Sequence, residues 1–287
     1  MKVVRLFEDN MFEHELQAIQ ALNLDLEMVV RPSQTPSEII ENAKDADIII
    51  TVYEPLTKEV LSQLPNLKLV VYRSIGFNSV DLAYANERQL PVSHITQYCV
   101  DEVANYVVAA ILSHNRRILD FNQSVKVGHK WDYELFPDMR RLSSLTVGLI
   151  GFGNIPRLVA QRLQVFGCKV MAYDPFVPAE VFANAGVAQV SLEEIFAHSD
   201  YISSHLPLND STKEMLNATL FNLCENQPVF INSSRGGVVN EKDLVAALQS
   251  GKLSYAILDV VHSEDPDLSK LPFMQMDNVV LTPHIAF

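Results

Sequence analysis

Val147-Gly148-Leu149-Ile150-Gly151-Phe152-Gly153-Asn154-Ile155-Pro156 is an apolar strand pattern that runs into a glycine-rich turn and then a helix pattern. A second strand pattern, Lys169-Val170-Met171-Ala172-Tyr173, ends on Asp174, 21 residues after Gly153. Strand, glycine turn, helix, strand and terminal acid in this order predict a dinucleotide-binding βαβ unit. Gly151 permits the tight turn. Gly153 has no Cβ, so a pyrophosphate can approach the free amides of the helix that opens with Asn154 and Ile155. Asp174 is placed to accept both ribose hydroxyls and would repel a 2′-phosphate. Pro175 and Phe176 follow it with no basic partner, so NAD is expected rather than NADP. The third glycine position holds Pro156. Proline is tolerated in the first helical turn, but its ring is expected to fill space that a third glycine leaves for close helix–strand packing.

The rest of the chain fits a soluble α/β enzyme. With 287 residues and 48% hydrophobic content, it can bury a large core and is expected to form two domains. A net charge of −13 argues against nucleic acid and against an anionic membrane surface. Cys99, Cys168 and Cys224 are odd in number and widely spaced, which fits buried thiols in a reducing cytoplasm. The histidines show no metal-ligand spacing, so no metal is expected. Met1-Lys2-Val3-Val4-Arg5-Leu6-Phe7-Glu8-Asp9 is too short in apolar run, and too soon charged, for a signal peptide.

Strand and helix patterns alternate on both sides of the glycine turn, so parallel sheets are expected. Before it, strands are predicted at Val3–Phe7, Met28–Val30, Asp47–Val52, Leu67–Val71 and Pro91–Ser93. Helices are predicted near Phe12–Leu22, Ser37–Lys44, Thr57–Leu61 and Val80–Arg88. A longer helix over Asp101–Leu119 places Val103, Val107, Ala110, Ile111 and His114 on one stripe. Asp120–Leu145 is expected to be a linker or arm. After the turn, a helix with Leu158, Val159, Leu163 and Phe166 on one face stops at Gly167. Further strands are predicted at Tyr201–Ser204, Val229–Asn232, Ala256–Asp259 and Val279–Leu281, with a helix over Glu241–Ser250. Ligands of such sheets bind beyond the carboxyl ends of the strands. Ser204-His205, Asn232-Ser233-Ser234-Arg235, Asp259 and Thr282-Pro283-His284 collect there.

Seven pieces in order resemble the D-isomer-specific 2-hydroxyacid dehydrogenases over nearly the whole chain. They are Arg73-Ser74-Ile75-Gly76-Phe77-Asn78-Ser79-Val80-Asp81, Cys99-Val100-Asp101-Glu102-Val103-Ala104, the glycine turn, His205-Leu206-Pro207-Leu208, Ile231-Asn232-Ser233-Ser234-Arg235-Gly236-Gly237, Leu258-Asp259-Val260 and Leu281-Thr282-Pro283-His284. Gln97-Tyr98-Cys99-Val100-Asp101 and Met139-Arg140-Arg141-Leu142-Ser143 resemble the C-terminal-binding-protein-like branch. The Arg73-Ser74-Ile75-Gly76 loop is similar to that of D-lactate dehydrogenases.

The resemblance implies a Rossmann-type nucleotide-binding domain, residues 98–284, inserted in a flavodoxin-like substrate domain, residues 1–97. Residues 285–287 would begin a segment returning to the substrate domain, where family members continue with a helix. It also implies NAD-dependent interconversion of a 2-oxo acid and a D-2-hydroxy acid, in a cytoplasmic homodimer formed through the Asp101–Leu119 helix and its arm. Arg235 would engage the substrate carboxylate and carbonyl with its guanidinium fork. The amides of Ile75 and Gly76 would hold the other carboxylate oxygen. His284 would move the proton, and Glu264 would fix its tautomer. His262 is a less favoured alternative in the same loop. Family members usually carry Glu-Pro where this chain has Glu264-Asp265-Pro266. Gly151, Gly153, Asn154, Ile155, Asp174, His205 and Ser233 would bind NAD, with Asp259 on the nicotinamide carboxamide. Tyr53 and Phe287 would line the substrate pocket. The alternative reading is a nucleotide-responsive corepressor or sensor on the same fold.

Overall fold

The computed structural model describes every residue except Leu22 and Asp138. The chain divides into two compact units, Met1–Tyr98 and Cys99–Phe287.

In the first unit the elements are β1 (Lys2–Arg5), α1 (Phe12–Ala21), β2 (Glu27–Val30), α2 (Pro36–Ala43), β3 (Ile48–Thr51), α3 (Lys58–Ser62), β4 (Leu69–Tyr72), α4 (Leu82–Glu87) and β5 (Val92–His94). The predicted end of the first helix, Leu22, lies outside the described residues. β-Branched runs such as Ile48-Ile49-Ile50-Thr51 suit a pleated surface packed on both faces. Thr35 caps α2 in a capping box with Glu38, and Asp81 caps α4. The strands pair in parallel in the order β2-β1-β3-β4-β5, the flavodoxin-like order. Val4, Ile39, Ile49, Leu61, Val70 and Tyr72 form its buried centre.

Charge is also buried here. The Arg5 side chain is fully enclosed and bonds Glu15 at 2.9 Å and Asp9 at 2.6 Å. Arg73 reaches the same two carboxylates at 2.7 and 2.8 Å. A buried guanidinium is tolerable only when paired in this way. The four-membered network ties the segment after β4 to α1.

The second unit contains α5 (Val100–Asn115), α6 (Ile118–Lys126), β6 (Thr146–Ile150), α7 (Asn154–Val165), β7 (Lys169–Tyr173), α8 (Ala179–Asn184), β8 (Ala188–Gln189) and α9 (Leu192–His198). It continues with β9 (Tyr201–Ser204), α10 (Ala218–Phe221), β10 (Val229–Asn232), α11 (Glu241–Gln249), β11 (Tyr255–Leu258) and β12 (Val279–Leu281). All its strands are parallel, in the order β12-β11-β10-β9-β6-β7-β8. That is the Rossmann order extended by one strand. The order reverses at β6, so the glycine turn after β6 opens at the switch point, where such sheets bind nucleotides.

Two sequence expectations are corrected. The helix expected over Asp101–Leu119 is two helices, broken at Arg117, whose φ is +51°. Neither Gly nor Pro marks the break. The buried stripe of α5 ends at Asn115, and α6 buries no residue, so nothing holds the helix straight past the core. The expected arm therefore begins with a helix. Phe166 is not on the buried face of α7: it is the C-cap residue and 43% exposed. Pro156 and Ala160 join Val159 and Leu163 on that face instead. Residues 285–287 follow β12 in the second unit. The amides of Ile285 and Ala286 are bound by the Asp259 carboxylate, which holds them there.

Candidate active site

The glycine turn has the local geometry that its sequence predicts. Gly151 has φ +94°, a conformation open to glycine, and a Cβ there would stand 3.1 Å from the His205 carbonyl oxygen. Gly153 is the N-cap of α7, and a Cβ there would meet nothing within 4 Å. Asn154 and Ile155 open the helix. Asp174, just past β7, accepts from the Phe152 amide through Oδ2 and from the Phe176 amide through Oδ1, both at 2.9 Å. The acid is thereby locked to the turn it serves.

Pro156 does not obstruct this arrangement. It is the third residue of α7 and buried, and the helix runs unbroken to Val165. Its missing N–H would have found no partner within the helix. Pro156→Gly is expected to leave NADH affinity within about twofold while costing about 1–2 kcal/mol of stability through chain entropy and lost packing. Fluorescence titration with NADH and a denaturation midpoint check the two halves of that expectation.

Beyond β9, β10, β11 and β12 the polar residues converge. His205 donates its amide to the Ile150 carbonyl at 2.8 Å. Burial pushes its imidazole pKa down to about 3, so the ring is neutral. Its Nε2, the Oγ of Ser203 and the Oγ of Ser233 are buried without a hydrogen-bond partner among the described residues. Unsatisfied buried polar atoms are costly and rare in native proteins. Three of them at strand ends beside a glycine turn, with open space at Gly153, fit a dinucleotide that supplies the missing partners.

Asn232, 1% exposed, builds the turn that carries Arg235. Its Oδ1 accepts from the Ser234 amide and hydroxyl, and its Nδ2 donates to the Arg235 carbonyl at 3.0 Å. Arg235 itself donates from Nη1 to the Ser234 carbonyl. The sequence reading did not assign Asn232 a role. The signal was present, as an Asn at a strand end ahead of Ser-Ser is an Asx-turn pattern.

His284 Nδ1 and Glu264 Oε2 are 2.6 Å apart. A carboxylate only accepts, so Nδ1 carries the proton. Partial burial pushes the Glu264 pKa up, but the His284 hydrogen bond and charge and the Arg235 charge outweigh it, for a net lowering. Phe287 stands edge-on to the His284 ring at 5.7 Å. His262, the alternative, engages Glu241 through its amide.

Asp259 holds the turn that presents His284. Its Oδ1 accepts from Thr282 Oγ1 at 2.5 Å and the Ile285 amide at 2.9 Å, and its Oδ2 accepts from the Ala286 amide at 2.9 Å. The Tyr106 hydroxyl sits 2.6 Å from Thr282 Oγ1 and must donate to it, because the threonine proton goes to Asp259. His284 has φ +54°, a strained region for a side chain of this size. The chain Tyr106–Thr282–Asp259 offsets that strain; Tyr106 was not singled out from sequence, and Thr282 only within the strand-end Thr-Pro-His run. In the first unit, Tyr53 follows β3 half-exposed, and Ile75 and Gly76 lie in the loop after β4.

A Rossmann sheet whose strand ends join a glycine turn, an acid at the end of the next strand and a histidine–carboxylate pair defines a nicotinamide-dependent oxidoreductase. Residues 108–286, more than half of the chain, match the model of the D-isomer specific 2-hydroxyacid dehydrogenase NAD binding domain. The chain is 34% identical over 259 residues to the hydroxypyruvate reductase of Blautia hydrogenotrophica, covering 87% of this chain and 78% of that protein. It is 32% identical over 273 residues to the D-3-phosphoglycerate dehydrogenase of Methanocaldococcus jannaschii, covering 94% of this chain but only 51% of that longer protein. The D-lactate dehydrogenase of Aquifex aeolicus, solved with NAD and lactic acid, superposes with a TM-score of 0.87 at 32% identity, over 100% of this chain and 89% of that one. The chain belongs to the D-isomer specific 2-hydroxyacid dehydrogenase family, whose members are NAD-dependent oxidoreductases acting on 2-hydroxy acids.

Proposed function

We propose that the protein reduces a small 2-oxo acid to the D-2-hydroxy acid, with His284 as acid and base. The observation that carries this reading is the 2.6 Å pair between His284 Nδ1 and Glu264 Oε2. NAD(H), when bound, supplies or accepts the hydride. Gly151, Gly153, Asn154 and Ile155 hold its pyrophosphate, Asp174 its ribose, and His205 and Ser233 give their unsatisfied atoms to it. A carboxamide bond to Asp259 would go to Oδ2, which has one partner against two for Oδ1.

The Arg235 guanidinium engages the substrate carboxylate and carbonyl, drawing negative charge toward itself as the carbonyl oxygen becomes an alkoxide. His284 gives that oxygen its Nε2 proton. Glu264 keeps the other ring nitrogen protonated and compensates the imidazolium charge. Ile75, Gly76 and Tyr53 of the first unit, and Phe287 of the second, are the further residues proposed to bind the substrate. Relatives named for hydroxypyruvate, glycerate, glyoxylate and lactate make small acids the class to try first.

We place the protein in the cytoplasm as a homodimer. Cys168 and Cys224 are buried thiols, and among the described residues no helix is long and apolar enough to cross a membrane. Ile118, Leu119, Trp131 and Tyr133 put exposed apolar surface on α6 and the arm, which a second copy would cover.

The test is NADH oxidation, followed by absorbance, against a panel of 2-oxo acids. Turnover on one or a few of them supports the reading. Folded protein that binds NADH yet reduces none of them overturns it in favour of a nucleotide-responsive binding protein.

A further inference from the structure

The loop after β4 is pinned in an unusual pattern. Three successive carbonyls, those of Ser74, Ile75 and Gly76, are each held by a donor. The Ile95 amide donates to the Ser74 carbonyl at 3.2 Å. His94 Nδ1 is 3.1 Å from the Ile75 carbonyl oxygen. The Ser74 hydroxyl donates to the Gly76 carbonyl at 2.6 Å. A carbonyl only accepts, so His94 carries its proton on Nδ1. Its ring is steadied by Phe77, at 4.7 Å between centroids.

Among the described residues, the amides of Ile75 and Gly76 have no acceptor. Adjacent amides left open while their carbonyls are tied down can both donate to one anion. They do so selectively only while the peptide planes cannot rotate. His94 closes β5, the strand beside β4, and fixes the plane between Ile75 and Gly76, whose N–H belongs to Gly76.

We propose that His94 is a positioning residue for the substrate carboxylate, locking the Ile75–Gly76 peptide so that its amide faces the anion. This rests on the dehydrogenase reading. His94 touches neither substrate nor cofactor. It acts through the peptide that it bonds, with Ser74 as the companion latch.

The test compares His94→Asn with His94→Leu in steady-state kinetics on the preferred 2-oxo acid. Asn and Leu have nearly the same shape, and only Asn can donate to the Ile75 carbonyl. His94→Leu is expected to raise KM for the 2-oxo acid about tenfold, with kcat and the KM for NADH within about twofold, as expected for a misplaced binding group. His94→Asn is expected to stay within about threefold of the parent, because its amide restores the bond. Equal KM values for the two variants overturn the assignment. A parent with no turnover on any 2-oxo acid instead overturns the dehydrogenase reading, and the assignment with it. Should His94→Leu lose its fold, His94→Ala takes its place: it must raise the 2-oxo acid KM with that for NADH unchanged, and an unchanged KM overturns the proposal.

Discussion

Replacing His284 by alanine is expected to lower kcat for the preferred 2-oxo acid by about 10²–10⁴-fold, the range that general acid catalysis supplies. NADH affinity should hold, because the cofactor contacts proposed above come from other residues. His284 is the ring whose Nδ1 is committed to Glu264, and its Nε2 is the proposed proton donor. Glu264→Gln keeps an acceptor for Nδ1 but removes the charge that supports the imidazolium, so a smaller loss, about 10–10²-fold, is expected. The pH direction follows from Glu264. Its pKa in the fold lies below the usual 4.5, so its contribution to stability is fully present above 4.5 and is lost as pH falls through the lowered value. Activity and denaturation midpoints measured from pH 7 down to 4 should therefore show the pair intact at 4.5 in the parent. A His284→Ala enzyme that kept its kcat would remove the histidine from the chemistry.

Gly236→Ala carries the second large effect. A Cβ at this position would lie inside the van der Waals radius of the Val261 carbonyl and 2.6 Å from the His262 amide nitrogen. Those are backbone atoms, which cannot rotate away. Either the turn bearing Arg235 or the loop bearing Glu264 must move, and both serve the proposed chemistry. Overpacking of this kind costs about 3 kcal/mol or more. Displacement of the pair by about 1 Å should lower kcat/KM by about 10²-fold. A denaturation curve and kcat/KM measured on the same preparation check both. Parental values in either would show that the two backbones have room to separate.

Much of the fold was legible because its physics is local. Ile231-Asn232-Ser233-Ser234 and Leu149-Ile150-Gly151 are buried parallel strands that end in turn formers, and such runs declare themselves by composition. Asn240 and Ser191 cap their helices, each side chain accepting from the amide three residues on. The break at Arg117 left no local trace, since it comes from the end of the core beneath the helix and not from a breaker residue. Phe166 misled for the converse reason: its spacing matched the buried face, but the helix ended under it.

The site divides in the same way. Gly151, Gly153 and Asp174 could be named from sequence, because a nucleotide demands those residue types in that order, and Arg235, Glu264 and His284 through the resemblance to a family. That Asp259 also holds the turn of His284 could not be read there. Its carboxylate gathers Thr282, Ile285 and Ala286, partners 23 to 27 residues away that β11 and β12 bring together. The same holds for Gly236, whose need for glycine arises only where the 260–262 backbone crosses it, and for His94, whose bond to Ile75 depends on β4 lying beside β5. Residue chemistry is written along the chain. Which carbonyl is pinned, which backbone has no room and which carboxylate is already spent depend on distances between strands, and those exist only once the sheet has formed.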